Sequence, residues 1–155
     1  MESKAERAKA LFEQGYNCCQ SVVLAFAEDV GLVPEEAARL VSGFGGGMGR
    51  LREVCGGVSA MAFLLGAVQG YNNPGEALEK QRLYEQIQLV AARFKAKNGS
   101  IICRELLESN AVAADTSPTP EARTENYYSK RPCGRLVASA AQILQEYLEG
   151  QHTEE

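Results

Sequence analysis

Apolar residues recur at three- and four-residue intervals in segment after segment of this chain, and this pattern restricts its fold more than any other feature. The clearest case is the segment from Leu83 to Phe94, where apolar side chains stand at positions i, i+4, i+7 and i+11 of one helical face. The strict polar–apolar alternation of a half-buried strand is missing from the sequence. The pattern predicts an all-α protein, a single-domain bundle of about six or seven helices over residues 1–155.

The expected helices follow from this spacing and from residues that favour helix ends. They cover roughly 2–14, 18–30, 34–40, 52 or 55 to 71, 75 or 76 to 97, a short segment capped by Ser100 and a last segment from about Pro132. The run from Val58 to Val68 is almost continuously apolar, but it is too short to cross a bilayer. It therefore predicts a central buried helix near 55–71 and no membrane span.

Three segments depart from helical periodicity. The stretch 43–49 is so rich in glycine that it predicts a loop, because no regular element tolerates that density. The stretch 109–130 contains two prolines and predicts a long surface loop. The tail 150–155 is expected to fray. Within the central helix, the small residues Ala62, Gly66 and Gly70 predict a close approach by another helix and are compatible with homo-oligomerisation.

Charge and the N-terminal sequence limit the classes of function. The net charge of −4, without a basic stripe, argues against binding to nucleic acid. The first residues carry no apolar run of the secretory type, so we expect a cytoplasmic protein. Structural disulfides are rare in a reducing compartment, and the five cysteines therefore call for metal binding, redox chemistry or simple burial.

The cysteines occupy a common kind of position. Cys18, Cys55, Cys103 and Cys133 each fall at the start of a different predicted helix. A helix N-terminus carries partial positive charge and unpaired N–H groups, which favour a thiolate over a thiol. Nearby arginines at 50, 52, 104, 131 and 135 would act in the same direction. We therefore expect thiols with lowered pKa values, in the form that attacks disulfides and binds metals.

Burial is the alternative explanation, since free cysteine often behaves as a small hydrophobe. Burial explains the position of a single cysteine well, but it does not explain why four cysteines each stand at the start of a helix. Cys19 continues the apolar stripe of Val23 and Phe26, so it is either a core residue or a resolving partner for a neighbouring thiol. Packing alone does not decide which member of the Cys18–Cys19 pair is functional.

The surrounding sequence limits the chemistry of these thiols. There is no CxxC pair, and the single histidine, His152, lies in the tail. A Cys–His catalytic arrangement is therefore excluded. A metal site would use Cys18, Cys55, Cys103 and Cys133 as ligands, and an all-sulfur set suits zinc or an iron–sulfur cluster.

The glycine segment also has two interpretations. Backbone amides at Gly45, Gly46 and Gly47 could bind an anion or the anionic part of a cofactor, because the segment precedes a helix. It lacks the lysine and hydroxyl of a phosphate-binding loop, and no strand leads into it. The alternative is a tight bend that lets backbone pass close to Cys55.

Four blocks of the sequence resemble the C_GCAxxG_C_C family of redox-active proteins, which is described by four cysteines and a CGAxxG motif. They read GYNCCQSVVLAF, GFGGGMGRLREVCGGVSAMAFLLG, NGSIICRELL and RPCGRLVASAAQIL. The resemblance implies functional cysteines at Cys18, Cys55, Cys103 and Cys133, and so favours Cys18 over Cys19. The motif here reads CGGVSA, with Gly57 and Ala60 where the family has alanine and glycine.

These observations lead to three hypotheses. The first is a thiol-based redox or electron-transfer protein, a candidate oxidoreductase, whose cysteines either cycle between dithiol and disulfide or hold a metal or iron–sulfur centre, acting with an unidentified redox partner. The second is a structural zinc protein with four cysteine ligands, which a chelator would unfold. The third is a helical binding module with inert cysteines and an exposed apolar patch.

Overall fold

The computed structural model describes residues 2–153, and the side chains of residues 2–150. The helices of this part are α1 (Lys4–Glu13), α2 (Cys18–Phe26), α3 (Pro34–Leu40), α4 (Gly45–Met48), α5 (Gly56–Gln69), α6 (Ala77–Asn98), α7 (Cys103–Glu108), α8 (Glu125–Lys130) and α9 (Cys133–Thr153). A short 3-10 turn, Ser42–Phe44, precedes α4. Across residues 2–153 there is no strand beyond one isolated antiparallel bridge between Val54 and Ile102. The prediction of an all-α fold is confirmed.

One helix and one short turn form where the sequence predicts loops. The turn is α4, in the glycine segment, where Gly46 and Gly47 have left-handed backbone, and the helix is α8, at the end of the stretch 109–130. The α8 helix starts because the Thr124 side chain accepts a hydrogen bond from the Tyr127 N–H, so the irregular part of that stretch ends before Glu125. The expected frayed tail at 150–155 begins inside α9, and residues 154–155 lie outside the described part of the chain.

The apolar core lies between α1, α2, α5 and α9. In α5, the side chains of Met61, Leu64 and Leu65 are fully buried, which confirms a central buried helix in this region. The long helix α6 covers the outside of α5 and α9 and contributes Val90 and Phe94. Burying one such side chain contributes about 1.5–3 kcal/mol, so these contacts hold the bundle together. None of the helices within residues 2–153 combines the length and apolar character needed to cross a membrane.

The close helix approach lies elsewhere than expected. A Cβ on Gly66 would meet nothing within 4 Å, so the prediction that Gly66 lets another helix approach is wrong. The close contact is at the start of α5, where a Cβ on Gly57 would lie 3.1 Å from the Cβ of Ala140 in α9. The glycines thus bring helices together at the cysteine end of α5 and not along its length.

A side-chain cap fixes where α2 begins, whereas α5 and α7 begin without one. Asn17 caps α2 with a capping box: its side chain accepts from the Gln20 N–H, and the Gln20 side chain accepts from the Asn17 N–H. The predicted cap Ser100 stands two residues too early, because the N-cap of α7 is Ile102. Ser100 instead accepts from the Ile102 N–H and donates to the Glu105 carboxylate, which holds the approach to α7.

Candidate functional site

The four cysteines that the sequence singles out lie at helix starts. Cys18, Cys103 and Cys133 are the first residues of α2, α7 and α9, and Cys55 is the N-cap of α5. All four line one cavity of about 60 Å³. One ordered water needs roughly 10–15 Å³ by this kind of measure, so the cavity has room for a group of several atoms.

Glycines, which have no side chain, let the cysteine-bearing segments come together. A Cβ on Gly56 would lie 2.3 Å from the Sγ of Cys18, so only glycine allows Cys18 to sit against α5. A Cβ on Gly47 would lie 2.7 Å from the Cβ of Cys103. Backbone hydrogen bonds join the other two segments: the Cys55 N–H donates to Ile101 O (2.8 Å), and the Cys103 N–H donates to Glu53 O (2.6 Å).

The glycine segment turns with left-handed backbone. The φ angles of residues 46–50 are 69°, 69°, 70°, 56° and 67°, and two of these residues, Met48 and Arg50, are not glycine. Left-handed helical backbone costs about 1–2 kcal/mol for each residue with a Cβ, so the surrounding contacts must hold this turn in place. The structure therefore differs from the predicted loop in having a regular, though left-handed, turn.

The amides after this turn are already paired. Those of Gly49, Arg50, Arg52 and Glu53 donate to carbonyl groups of residues 43–47. They are not directed at a ligand. The contacts of the segment match the close-packing interpretation, since Gly46 lines the cavity and Gly47 packs on Cys103. Ligand binding by the amides of Gly45, Gly46 and Gly47 stays a prediction.

Burial controls the ionisation of the thiols. It raises the pKa of Cys55 and of Cys103, and it raises the pKa of Cys133 to about 12. The expected helix-start effect is present at Cys55, where the Gly57 N–H donates to the sulfur and lowers the pKa, but burial outweighs it. The prediction of lowered thiol pKa values is therefore wrong for these three residues.

Neighbouring thiols raise the pKa values further, which reports their proximity. After burial, the Cys18 sulfur is the next cause of the raised pKa of Cys55, and Cys133 and Cys103 also contribute. Cys18 contributes in the same way at Cys103 and at Cys133. Cys18 therefore lies within electrostatic reach of the other three cavity thiols.

Two of the five expected arginines contact these thiols. Arg52 places its Nη1 3.8 Å from the Sγ of Cys103, and Arg131 hydrogen-bonds to Cys133; both lower the pKa of the thiol they approach. Arg50 lies further out and donates to Ser117 O at 2.5 Å. Arg104 and Arg135 do not line the cavity. They contact Glu108 and Asn110, respectively, on the surface.

Sequence reasoning missed Arg123 and its stacking on the rings of Phe12 and Tyr127. The Arg123 guanidinium lies 4.5 Å from the ring centroid of Phe12 and 4.9 Å from that of Tyr127, and all three residues line the cavity. It also donates to Phe12 O and Tyr16 O, each at 3.1 Å. Arg123 lies in a segment without helical periodicity, and these contacts join it to residues more than a hundred positions earlier in the chain. The adjacent tyrosines, Tyr127 and Tyr128, were the one sequence signal that this segment is anchored.

The two adjacent cysteines have different environments. Cys19 is fully buried in the apolar core, and burial raises its pKa. Cys18 is partly exposed and lines the cavity. The interpretation of Cys19 as a core residue agrees with this placement.

The predicted metal site finds no support in the arrangement of the donors. No group of three or more cysteine, histidine, aspartate or glutamate side chains in the described part of the chain could hold a metal ion. The four cavity cysteines are therefore not placed as the closed set of four sulfur ligands that zinc or an iron–sulfur cluster would need here. The cysteines as arranged do not fit either group, and the His152 side chain lies outside the described residues.

Comparison with known proteins gives one match. The model of the family described as "Putative redox-active protein (C_GCAxxG_C_C)" matches residues 16–147, a range that contains all the cavity cysteines. Neither a curated protein nor a solved structure matches the chain.

Proposed function

The chain belongs to the C_GCAxxG_C_C family, and from that premise we propose that it is a thiol–disulfide redox protein of the cytoplasm. Its working sulfurs are Cys18, Cys55, Cys103 and Cys133. The observation that carries the proposal is the meeting of four cysteines from four helix starts around one cavity. Burial alone would not bring four thiols to a common space, since buried cysteines usually pack as scattered small hydrophobes.

The first disulfide joins Cys18 and Cys55. Cys18 is the partly exposed member of the pair, and it is the neighbouring thiol with the strongest effect on Cys55. The Cys18 thiol loses its proton, and the thiolate attacks a sulfur of the substrate disulfide, releasing one substrate thiol. Cys55 then attacks the sulfur of Cys18 in the mixed disulfide and releases the second substrate thiol. Two protein thiols are oxidised, one substrate disulfide is reduced, and the protons pass to the released thiols.

The raised pKa values set the speed of this exchange. A thiol must ionise before it attacks, and burial disfavours the thiolates of Cys55, Cys103 and Cys133. We therefore expect slow exchange at neutral pH, with a rate that rises with pH. A dithiol resting state is also the state that a reducing cytoplasm maintains.

The experiment is a redox titration with matched variants. Protein is equilibrated in mixtures of reduced and oxidised dithiothreitol, and the remaining thiols are counted by alkylation and intact-protein mass. We expect two thiols to be lost together in the wild type and in Cys19→Ala, and this transition to disappear in Cys55→Ser. A wild-type protein that keeps every thiol, or an unchanged transition in Cys55→Ser, would overturn the proposal.

A further inference from the structure

The entrance to the cysteine cavity carries the opposite charge to the chain as a whole. A groove of about 270 Å³ adjoins the cavity and shares Asn17, Gly46, Arg52, Arg123, Tyr127 and Arg131 with it. Within the described residues, its charged lining consists of Arg50, Arg52, Arg123 and Arg131 with one carboxylate, Glu121. The chain carries a net charge of −4, so this local concentration of positive charge is opposite in sign to the charge of the whole chain.

Most of these arginines already have partners. Arg131 is paired with Glu121, and Arg50 lies 3.5 Å from the Asp115 carboxylate. Arg123 is stacked on aromatic rings and donates to two backbone carbonyls. Their donors are thus largely used in holding the segment 109–124 across the cavity.

Arg52 differs from the others. Only 3% of its surface is exposed, and no salt bridge involves it in the described part of the chain. Its Nε donates to Asp115 O at 2.9 Å, and its Nη1 approaches the Cys103 sulfur, but its buried Nη2 has no hydrogen-bond partner among the described residues. A buried guanidinium without a counter-charge is costly, and native structures rarely leave such a donor unpaired.

We propose that the cavity is a binding site for a small oxyanion, held by the Arg52 guanidinium beside the cysteine sulfurs. An oxyanion supplies the missing counter-charge and an acceptor for Nη2, and guanidinium binds two oxygens of such a group in parallel. The cavity volume of about 60 Å³ limits the bound group to a few atoms. Binding of the anion is argued from Arg52 alone. The further step, that the anion is part of the redox substrate, rests on the proposed redox function.

The test compares two alkylating reagents of nearly equal size. Iodoacetate is an anion and iodoacetamide is neutral, and labelling of Cys18 and Cys133 is followed by peptide mass. We expect sulfate, compared with chloride at equal ionic strength, to slow labelling by both reagents, because a bound anion fills the cavity, and to slow iodoacetate more than iodoacetamide, because iodoacetate also competes for the Arg52 guanidinium. Labelling by both reagents at the same rate in sulfate as in chloride would overturn the proposal.

Variants assign the effect to Arg52. Sulfate binding is measured by calorimetry for the wild type, Arg52→Gln, Arg52→Lys and the control Arg82→Gln, which removes an exposed charge from α6. A charge-assisted hydrogen bond predicts roughly tenfold or greater weakening in Arg52→Gln, with partial retention in Arg52→Lys. Equal weakening in Arg82→Gln would assign the effect to net charge and contradict the proposal. If Arg52→Gln does not fold, the wild-type labelling comparison still decides.

The two proposals can fail separately. Cys55→Ser removes the dithiol chemistry but leaves the Arg52 guanidinium in place. Sulfate binding that persists in Cys55→Ser, together with a wild type that forms no disulfide, would sink the redox function alone. A wild type that forms the disulfide but does not bind sulfate would sink the anion site alone.

Discussion

The apolar core and the cysteine side of the molecule are built in different ways. The core, between α1, α2, α5 and α9, consists of helices whose buried side chains repeat at helical spacing. The cysteine side, made of the cavity with segments 42–53 and 109–124, has left-handed backbone, close glycine contacts and arginines that donate to distant carbonyls. The comparison indicates that the core contributes most of the favourable free energy of folding. On the cysteine side, the strained backbone that holds the reactive groups together costs part of that free energy.

The largest effect on stability should come from the core. Leu64→Ala removes a fully buried side chain from α5, and we expect it to lower the free energy of unfolding by about 2–5 kcal/mol in urea titrations. The matched control Leu78→Ala, at a position 74% exposed, should have little effect. Equal losses in the two variants would mean that α5 is not the centre of the core.

A glycine comparison within α5 tests the boundary between the two regions. In Gly56→Ala the new methyl group would clash with the Cys18 sulfur and with the Cys19 N–H, so we expect a loss of about 1–3 kcal/mol and altered labelling of Cys18. In Gly66→Ala the methyl group meets nothing within 4 Å, and higher helix propensity should add about 0.5–1 kcal/mol. A stabilising Gly56→Ala would contradict the close approach of Cys18 to α5.

The pH dependence of stability tests the burial of the thiols. The pKa of Cys133 rises from 9.0 to about 12 in the folded protein, so its contribution is complete below pH 9, where both states keep the proton. As the pH rises from 9 towards 12, the unfolded chain releases this proton before the folded one does, and stability falls. We expect the urea midpoint of the reduced protein to decrease over this range.

Cys133→Ser is the control for this decrease, because it removes the titrating group. We expect a shallower fall of the urea midpoint in the variant than in the wild type. An identical slope in both proteins would show that Cys133 is not buried as a neutral thiol.

The smallest effect on stability should come from the segment that covers the cavity. Arg50→Gln removes the hydrogen bond to Ser117 O and the ion pair with Asp115, whose carboxylate is exposed, and we expect a loss of about 0–1 kcal/mol. The same change should loosen segment 109–124, so labelling of Cys103 by iodoacetamide should become faster. Unchanged labelling of Cys103 would mean that the segment does not control access to the cavity.

The sequence predicts the core better than the cysteine side for a physical reason. Helices such as Pro34–Leu40 and the buried face of α5 depend on neighbours within one or two turns, and these neighbours are visible in the spacing of residues. The helix start at Cys18 follows from such a local signal, the Asn17 cap, whereas α7 begins at Cys103 without a side-chain cap and two residues later than the predicted cap Ser100 implies.

What spacing does not reveal is the depth of burial and the long-range contacts. The rise in the pKa of Cys55 depends on how deeply several helices enclose it. The place of Arg123 beside Phe12 depends on a segment more than a hundred residues further along the chain. The unpaired donor of Arg52 likewise depends on how α7 and segment 109–124 pack around it.

The most direct test of the account is a map of the first disulfide formed. The reduced protein is oxidised slowly with oxidised dithiothreitol, quenched in acid and digested, and bridged peptides are identified by mass. We predict a bond between Cys18 and Cys55, with Cys19 still a free thiol. A first bond that includes Cys19, or a protein whose cysteines all remain thiols, would contradict the claim that the cavity cysteines form a redox site.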